Sequence, residues 1–278
     1  MEIPSFTFKG INSGKHLLIL GAIHGNEVCG PIAIQKIISE IKLGHLNILK
    51  GQVTFIPVCN KAAYDKGIRY IVQDLNRCIF LHDSPKNNEQ KIANVICKAI
   101  DTCDILLDIH SMTAQCKPSA FEDKQTVGDQ ALVECLHVET IFTGWLDKHN
   151  EKNECATTAY AQNKRIPATT LECGQHADPL SIEVAYINIL NVLSKFGLIK
   201  HDIKTFLKPR RIKLYDTFRK EADSTFTREW KNLDPLKKGD IIGTKGDHKF
   251  VSPIDGFIIM PSTQAKPGGE WYYIGIEI

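Results

Sequence analysis

The sequence predicts an α/β fold with a mixed, largely parallel central sheet flanked by helices and a small C-terminal β domain. Up to about residue 200, short apolar segments alternate with segments of helical periodicity, which is the pattern of a parallel sheet covered by helices. From about residue 205 the chain has short β segments broken by Gly and Pro. We therefore divide the chain into an α/β domain at residues 1–204 and a β domain at residues 205–278.

Each element follows from local pattern. Short apolar runs predict strands at residues 16–22, 52–58 and 104–109, with shorter candidates at 139–143 and 169–173. Helical spacing predicts helices at residues 27–42, 89–100 and 181–196. Ser181 is predicted as the N-cap of the last helix, and the polar segment 60–77 as a loop. The C-terminal β segments are predicted at residues 231–243, 248–260 and 271–278.

Composition excludes several classes of protein. A net charge of +2 argues against a dedicated nucleic-acid binder, and the densest basic stretch, residues 204–213, is predicted to be a solvated hinge. The nine cysteines are odd in number and form no CxxC pair, which favours reduced thiols and a reducing compartment. No apolar run approaches the ~20 residues of a membrane span, and the N-terminus lacks a signal-peptide pattern. We therefore expect a cytoplasmic protein with no membrane partner.

A His-Gly-Asn-Glu motif, residues 24–27, directly follows the first predicted strand. Zinc favours imidazole nitrogen and carboxylate oxygen, and His24 and Glu27 can converge on one point where a turn enters a helix. Gly25 allows the backbone to bend tightly between them. Taken alone, this spacing more often marks a surface turn.

A second histidine, His110, stands at the end of the strand predicted at residues 104–109. Open α/β sheets bind ligands at the carboxyl ends of their strands, and the first strand delivers His24 to the same edge. Two histidines and Glu27 make up the three protein ligands of a catalytic zinc, with one position left for water. His110 alone could be a packed or capping residue, so the shared location carries the hypothesis.

A carboxylate, Glu172, ends the apolar strand candidate at residues 169–173. At this sheet edge it could take a proton from water that zinc activates, because zinc lowers the pKa of that water to about 7. The alternative is an edge-strand glutamate in a salt bridge.

Cationic side chains cluster in the segment that contains Arg69 and Asp74-Leu75-Asn76-Arg77. Guanidinium groups bind carboxylates through paired hydrogen bonds and stabilise oxyanions. A solvated loop is the alternative interpretation.

Four motifs, GAIHGNE, RYIVQDLNR, LLDIH and TLECG, occur in this order over residues 21–174. Together they resemble the succinylglutamate desuccinylase and aspartoacylase family of the zinc carboxypeptidase superfamily. The resemblance implies a zinc carboxypeptidase-like fold in which one zinc ion per chain is held by His24, Glu27 and His110. It also implies that Glu172 is the general acid/base and that Arg69 polarises the scissile carbonyl.

The resemblance extends to substrate binding. It implies that Asn76 and Arg77 clamp the substrate α-carboxylate and that Asp74 orients their loop. Tyr160 and Arg165 are candidates for the further Tyr and Arg pair that the acylase branch carries before its catalytic glutamate. The C-terminal β domain would restrict access to the active site. From that domain Tyr272 or Tyr273 could reach the pocket, although core packing is the favoured role; of the two, Tyr273 is the substrate-binding candidate.

The expected activity is hydrolysis of a small N-acyl amino acid to a carboxylate and a free amino acid. Related enzymes often form dimers, so a homodimer is compatible with the resemblance. Two rivals stay open: a carboxypeptidase-like hydrolase of peptides or peptidoglycan fragments, and a non-catalytic binding protein on the same fold.

Overall fold

A computed structural model describes residues 2–124, 126–145, 155–205 and 208–278 of the chain. The strands are β1 (Phe6–Lys9), β2 (Asn12–Gly21), β3 (Lys50–Ile56), β4 (Ile105–Met112), β5 (Ser119–Phe121), β6 (Thr140–Thr143), β7 (Ala168–Gln175), β8 (Arg210–Arg219), β9 (Thr225–Phe226), β10 (Pro235–Leu236), β11 (Ile241–Lys245), β12 (His248–Val251), β13 (Gly256–Ile259) and β14 (Glu270–Glu277). The helices are α1 (Cys29–Lys42), α2 (Lys61–Tyr64), α3 (Asn88–Ile100), α4 (Val127–Glu134), α5 (Thr157–Asn163) and α6 (Leu180–Lys195), with a 3₁₀ helix at Leu75–Arg77.

The central sheet has 11 strands in the order β1-β3-β2-β4-β7-β5-β6-β8-β14-β13-β10. Its middle is parallel, because β2 pairs with β3 and β4, and β4 pairs with β7, in parallel registers. The strands predicted at residues 16–22, 52–58, 104–109, 139–143 and 169–173 are confirmed as β2, β3, β4, β6 and β7. The mixed, largely parallel α/β fold is therefore confirmed.

Helices cover both faces of the parallel strands. All eight residues of β4 are buried, as expected for a strand packed on both sides. In β2, Leu17 and Ile19 belong to the hydrophobic cluster with α1 and α6, whereas Leu18 and Leu20 belong to the cluster with α3. This alternation follows from the two-residue period of a strand. None of the helices in the described part of the chain combines the length and apolar composition needed to cross a bilayer.

The C-terminal strands continue the central sheet. β8 pairs in parallel with β6, and β14, β13 and β10 extend the same sheet by antiparallel pairing. A smaller sheet, β12-β11-β9, stands beside it. The large sheet contains strands from both sides of the boundary between residues 204 and 205. The C-terminal strands β8, β10, β13 and β14 therefore do not form a sheet of their own. The division into two domains stays a prediction.

Two local expectations are corrected. Ser181 is not the N-cap of α6, which begins at Leu180 after Pro179. The N-cap is Pro179, two residues earlier, and the side chain of Asp178 accepts the Leu180 N–H at 2.9 Å. The segment 60–77 is not entirely loop, because it contains α2 and the 3₁₀ helix.

Candidate active site

The ends of β2 and β4 bring the first three candidate residues together. Gly21 and Ile109 are register partners in these parallel strands, so the residues that follow them leave the sheet at the same edge. His24, Glu27 and His110 are all buried there, and one ligand atom from each lies within 4.8 Å of the others. The geometry that the sequence predicts for these three residues is thus present.

Both imidazoles turn the same nitrogen toward Glu27. His24 Nδ1 lies 2.8 Å from Glu27 Oε1, and His110 Nδ1 lies 2.9 Å from Glu27 Oε2. The opposite nitrogens face carboxylates: His24 Nε2 is 3.0 Å from Asp74 Oδ1, and His110 Nε2 is 2.9 Å from Asp108 Oδ2. Proteins orient metal-binding imidazoles with outer carboxylates of this kind. Two imidazoles and one carboxylate are a donor set that fits a metal ion.

The charges of the cluster are complementary. Burial by itself would raise the pKa of Glu27, but the imidazoles of His24 and His110 lower it well below its ordinary value. Burial would lower the pKa of His110, but Asp108 and Glu27 raise it well above its ordinary value. The carboxylates therefore favour positive charge at this point, which a bound cation also supplies.

Glu172 lies beside this cluster because β7 pairs with β4, with His110 and Glu172 as register partners. Its Oε2 atom is buried and has no hydrogen-bond partner among the described residues. Burial raises the pKa of the Glu172 carboxyl to about 7, even though His110 acts in the opposite direction. A carboxyl with this pKa can both accept and release a proton near neutral pH.

Asp74 links the metal-binding residues to Arg69. One of its oxygens faces His24, and the other accepts a hydrogen bond from Arg69 Nε at 3.0 Å and forms an ion pair with Arg69 Nη2 at 2.9 Å. Arg69 Nη1 also lies 3.6 Å from Glu27 Oε1. Burial would raise the pKa of Asp74, but His24 and Arg69 lower it, so this carboxylate is ionised. Asp74 thereby holds the guanidinium beside the metal-binding cluster.

Asn76 and Arg77 line the same cavity, whose volume is about 800 Å³. Asn76 Oδ1 accepts the backbone N–H of Thr157 at 3.0 Å. Arg77 Nη2 is 3.3 Å from Glu270 Oε2, which also accepts the Tyr273 hydroxyl at 2.5 Å. The C-terminal strand β14 therefore contributes to the wall of the cavity.

The two tyrosines of β14 differ in position. Tyr273 lines the cavity. Tyr272 is fully buried in the C-terminal hydrophobic cluster and is not among the described residues that line the cavity.

Tyr160 and Arg165 are not brought to the site, and neither is among the described residues that line the cavity. The N-terminal part of α5 faces the cavity through Thr158 and Ala159, so the later residues are carried away from it. The Tyr160 hydroxyl instead donates to Asp101 at 3.1 Å. Arg165 is exposed and adopts a left-handed backbone conformation, with φ of 63°, just after α5. Their assignment to substrate binding has no support from this geometry.

His176 also lines the cavity, although no sequence motif pointed to it. Its Nδ1 lies 2.8 Å from Ser111 Oγ, and its Nε2 lies 3.3 Å from the side-chain nitrogen of Asn26. Burial lowers the pKa of this histidine. The available signal was a histidine just beyond the end of a buried strand, the same signal that identified His110.

Fold and site define a class: an α/β protein with a buried His-Glu-His cluster at the carboxyl ends of parallel strands. Residues 13–194 match the family model described as the succinylglutamate desuccinylase/aspartoacylase catalytic domain, so the chain belongs to that family. The resemblance noted in the sequence is thereby confirmed.

Relatives in sequence are partial matches. A probable aspartoacylase of Prochlorococcus marinus strain MIT 9515 is 35% identical over 115 residues, which cover 37% of this chain and 36% of the relative. The N-alpha-acetyl-L-2,4-diaminobutyric acid deacetylase of Halomonas elongata is 25% identical over 206 residues, covering 71% of this chain and 59% of that one. The chain therefore spans about a third of the length of the curated aspartoacylase relatives it matches.

Solved structures share the whole fold. A succinylglutamate desuccinylase/aspartoacylase from Rhodobacter sphaeroides has a TM-score of 0.78 at 19% identity, covering 100% of this chain and 90% of the other. The product-bound ectoine utilization protein EutE (DoeB) from Ruegeria pomeroyi has a TM-score of 0.79 at 18% identity, covering 99% and 89%. At these identities the likeness is one of fold.

Proposed function

We propose that this chain is a zinc-dependent hydrolase that converts a small N-acyl amino acid to a carboxylate and a free amino acid. The observation that carries the proposal is the convergence of His24, Glu27 and His110 within 4.8 Å, beside the buried carboxyl of Glu172. Membership of the family supports it. The relative from Halomonas elongata also supports it, because that protein is named as a deacetylase of an N-acetylated amino acid.

His24, Glu27 and His110 would hold one zinc ion. When bound there, zinc would lower the pKa of water and polarise the carbonyl oxygen of the substrate. Asp74 and Asp108 would keep the two imidazoles in the orientation that presents Nδ1 to the ion.

Glu172 would move the proton. As a carboxylate it takes a proton from the attacking water while the oxygen forms a bond to the carbonyl carbon. The protonated carboxyl then gives that proton to the amide nitrogen as the carbon–nitrogen bond breaks, so that a neutral amine leaves. A pKa near 7 suits a group that performs both transfers.

Polar and cationic side chains of the cavity would bind the negatively charged groups of the substrate. Asp74 holds the Arg69 guanidinium at 2.9 Å, and the guanidinium lies 3.6 Å from Glu27, one of the proposed zinc ligands. From this position Arg69 would approach the carbonyl oxygen of the substrate and stabilise the negative charge that develops on it. Asn76 and Arg77 are proposed to bind the substrate α-carboxylate, with Tyr273 on the same wall.

The shape of the cavity favours a small substrate. Its volume is about 800 Å³, and β14 and residues 260–266 of the C-terminal region form part of its wall. A volume of this order lies within the range of roughly 300–1,000 Å³ that is usual for small-molecule sites. We therefore favour N-acyl amino acids over extended peptides, with the C-terminal region limiting access.

An activity screen tests the proposal. The protein is freed of metal with a chelator, reloaded with zinc, and assayed for amine release from N-acetyl-aspartate, N-succinyl-glutamate, N-acetyl-2,4-diaminobutyrate and short peptides. We expect hydrolysis of an N-acyl amino acid only in the zinc-loaded sample. Hydrolysis of peptides alone would favour the carboxypeptidase-like rival. Zinc binding without hydrolysis in any assay would favour the non-catalytic one.

A further inference from the structure

Arg69 lies on a segment that the hydrophobic core holds only weakly. Its apolar neighbours are not packed into the core: Ile68 is 42% exposed, Tyr70 41% and Val72 61%. Apolar burial therefore contributes little to fixing this part of the backbone. Its position depends instead on polar contacts.

One buried carboxylate supplies several of those contacts. Glu89 lies in the first turn of α3 and has no exposed surface. Its Oε1 accepts the backbone N–H of Ile71 at 2.9 Å and that of Val72 at 3.4 Å. The side-chain amide of Asn60 donates to the same oxygen at 3.5 Å. Three N–H donors therefore converge on one buried oxygen, and removing that oxygen would leave all three without this acceptor.

A second anchor lies on the other side of the segment. The backbone N–H of Gly25, within the His24–Glu27 turn, donates to the carbonyl oxygen of Arg69 at 3.1 Å. A Cβ atom at position 25 would lie 2.1 Å from the carbonyl carbon of Ala63, so the close approach of this turn to α2 requires glycine. The segment is thus fixed between the metal-binding turn and α3.

We propose that Glu89 is a positioning residue for Arg69, an inference that rests on the role proposed for Arg69 above. Glu89 is not among the described residues that line the cavity, so it acts through the backbone of residues 69–72. By holding Ile71 and Val72, it fixes the direction in which the Arg69 side chain leaves the backbone. Small displacements of a group that acts on the reacting centre are costly for catalysis.

Amide hydrogen exchange tests the anchoring independently of any activity. We expect Glu89→Ala to speed exchange in a peptide covering residues 65–77 by about tenfold or more, because the acceptor is lost. Glu89→Gln retains an oxygen acceptor and should stay close to the wild type. Ile96→Val, a buried change elsewhere in α3, is the control for general loss of stability. Unchanged exchange in Glu89→Ala, or equal acceleration in all three variants, would overturn the inference.

Kinetics on the zinc-loaded enzyme test whether Glu89 acts through Arg69. Glu89→Ala should lower kcat by about tenfold or more and change KM by less than about threefold, because an interaction of the transition state is lost. Glu89→Gln should recover most of that kcat. In an Arg69→Ala background, Glu89→Ala should have an effect below about twofold, since its target is gone.

Equal losses in both backgrounds would show that Glu89 does not work through Arg69, and would overturn the inference. If Arg69→Ala itself leaves kcat unchanged, the proposed role of Arg69 fails, and with it the catalytic half of this inference. Hydrogen exchange then still decides whether Glu89 anchors the segment.

Discussion

The two halves of the candidate site are held in different ways. The cluster of His24, Glu27 and His110 stands at the ends of β2 and β4, strands whose side chains are buried on both faces of the sheet. The segment from Arg69 to Val72 has exposed apolar side chains, and Glu89, Gly25 and Asp74 hold it by hydrogen bonds. Packing therefore fixes the groups that would hold the metal. Polar contacts fix Arg69, the group that would stabilise the carbonyl oxygen of the substrate.

This difference has consequences for mutation. A substitution in the packed half should alter stability and metal binding. A substitution in the segment 69–72 should alter turnover while leaving the fold intact. Asp74 belongs to both halves, because it contacts His24 and Arg69.

The largest expected effect is on the general base. Glu172→Gln removes the proton acceptor but keeps the shape of the side chain, so kcat should fall by about 10² to 10⁴. Zinc content should match that of the wild type, because Glu172 is not one of the three clustered ligands. Glu183→Gln, an exposed change on α6, is the control. A Glu172→Gln enzyme of normal turnover would remove Glu172 from the mechanism.

A pair of core and surface substitutions tests how each half is held. Leu107→Ala in β4 should lower the free energy of unfolding by about 2–5 kcal/mol, because the side chain is fully buried. Val72→Ala in the exposed segment should change it by less than about 0.5 kcal/mol. Chemical denaturation of both variants gives the two values. Equal losses would mean that packing holds both halves alike.

A comparison of Asp74 with Asp108 tests the two halves separately. Each carboxylate faces one imidazole, and only Asp74 also contacts Arg69. Asp74→Asn and Asp108→Asn should each weaken zinc binding by about 10- to 100-fold. At saturating zinc, only Asp74→Asn should still have a lowered kcat. If Asp108→Asn lowers kcat equally at saturating zinc, the contact between Asp74 and Arg69 does not explain the loss of kcat in Asp74→Asn.

The smallest effect is expected at Tyr160. Tyr160→Phe removes a hydrogen bond to Asp101 at the surface, so stability should change by less than about 1 kcal/mol. Both kcat and KM should be those of the wild type. A raised KM would indicate that Tyr160 takes part in substrate binding.

Local signals explain what the sequence could predict. Apolar runs identified β2, β4 and β7, and the rule that ligands bind at the carboxyl ends of parallel strands placed His24 and His110 at one edge. Contacts between distant segments could not be predicted in this way. β8 joins the central sheet through β6, about 70 residues earlier in the chain, and no periodicity encodes that pairing.

The side chains that support the site show the same limit. The sequence pattern predicts only that Glu89 lies in the first turn of a helix. Its contact with the backbone of Ile71 becomes visible only in the structure. Tyr160 and Arg165 precede Glu172 closely in the sequence, but α5 carries them away from the cavity.

The zinc content of the purified chain tests the central claim most directly. After zinc loading and gel filtration, elemental analysis should find one zinc per chain in the wild type. The double variant His24→Ala/His110→Ala should contain no zinc above the buffer background. His45→Ala/His248→Ala, which removes two exposed histidines, should bind as the wild type does. A wild-type chain that stays metal-free after loading, or a His24→Ala/His110→Ala variant that keeps its zinc, would contradict the account.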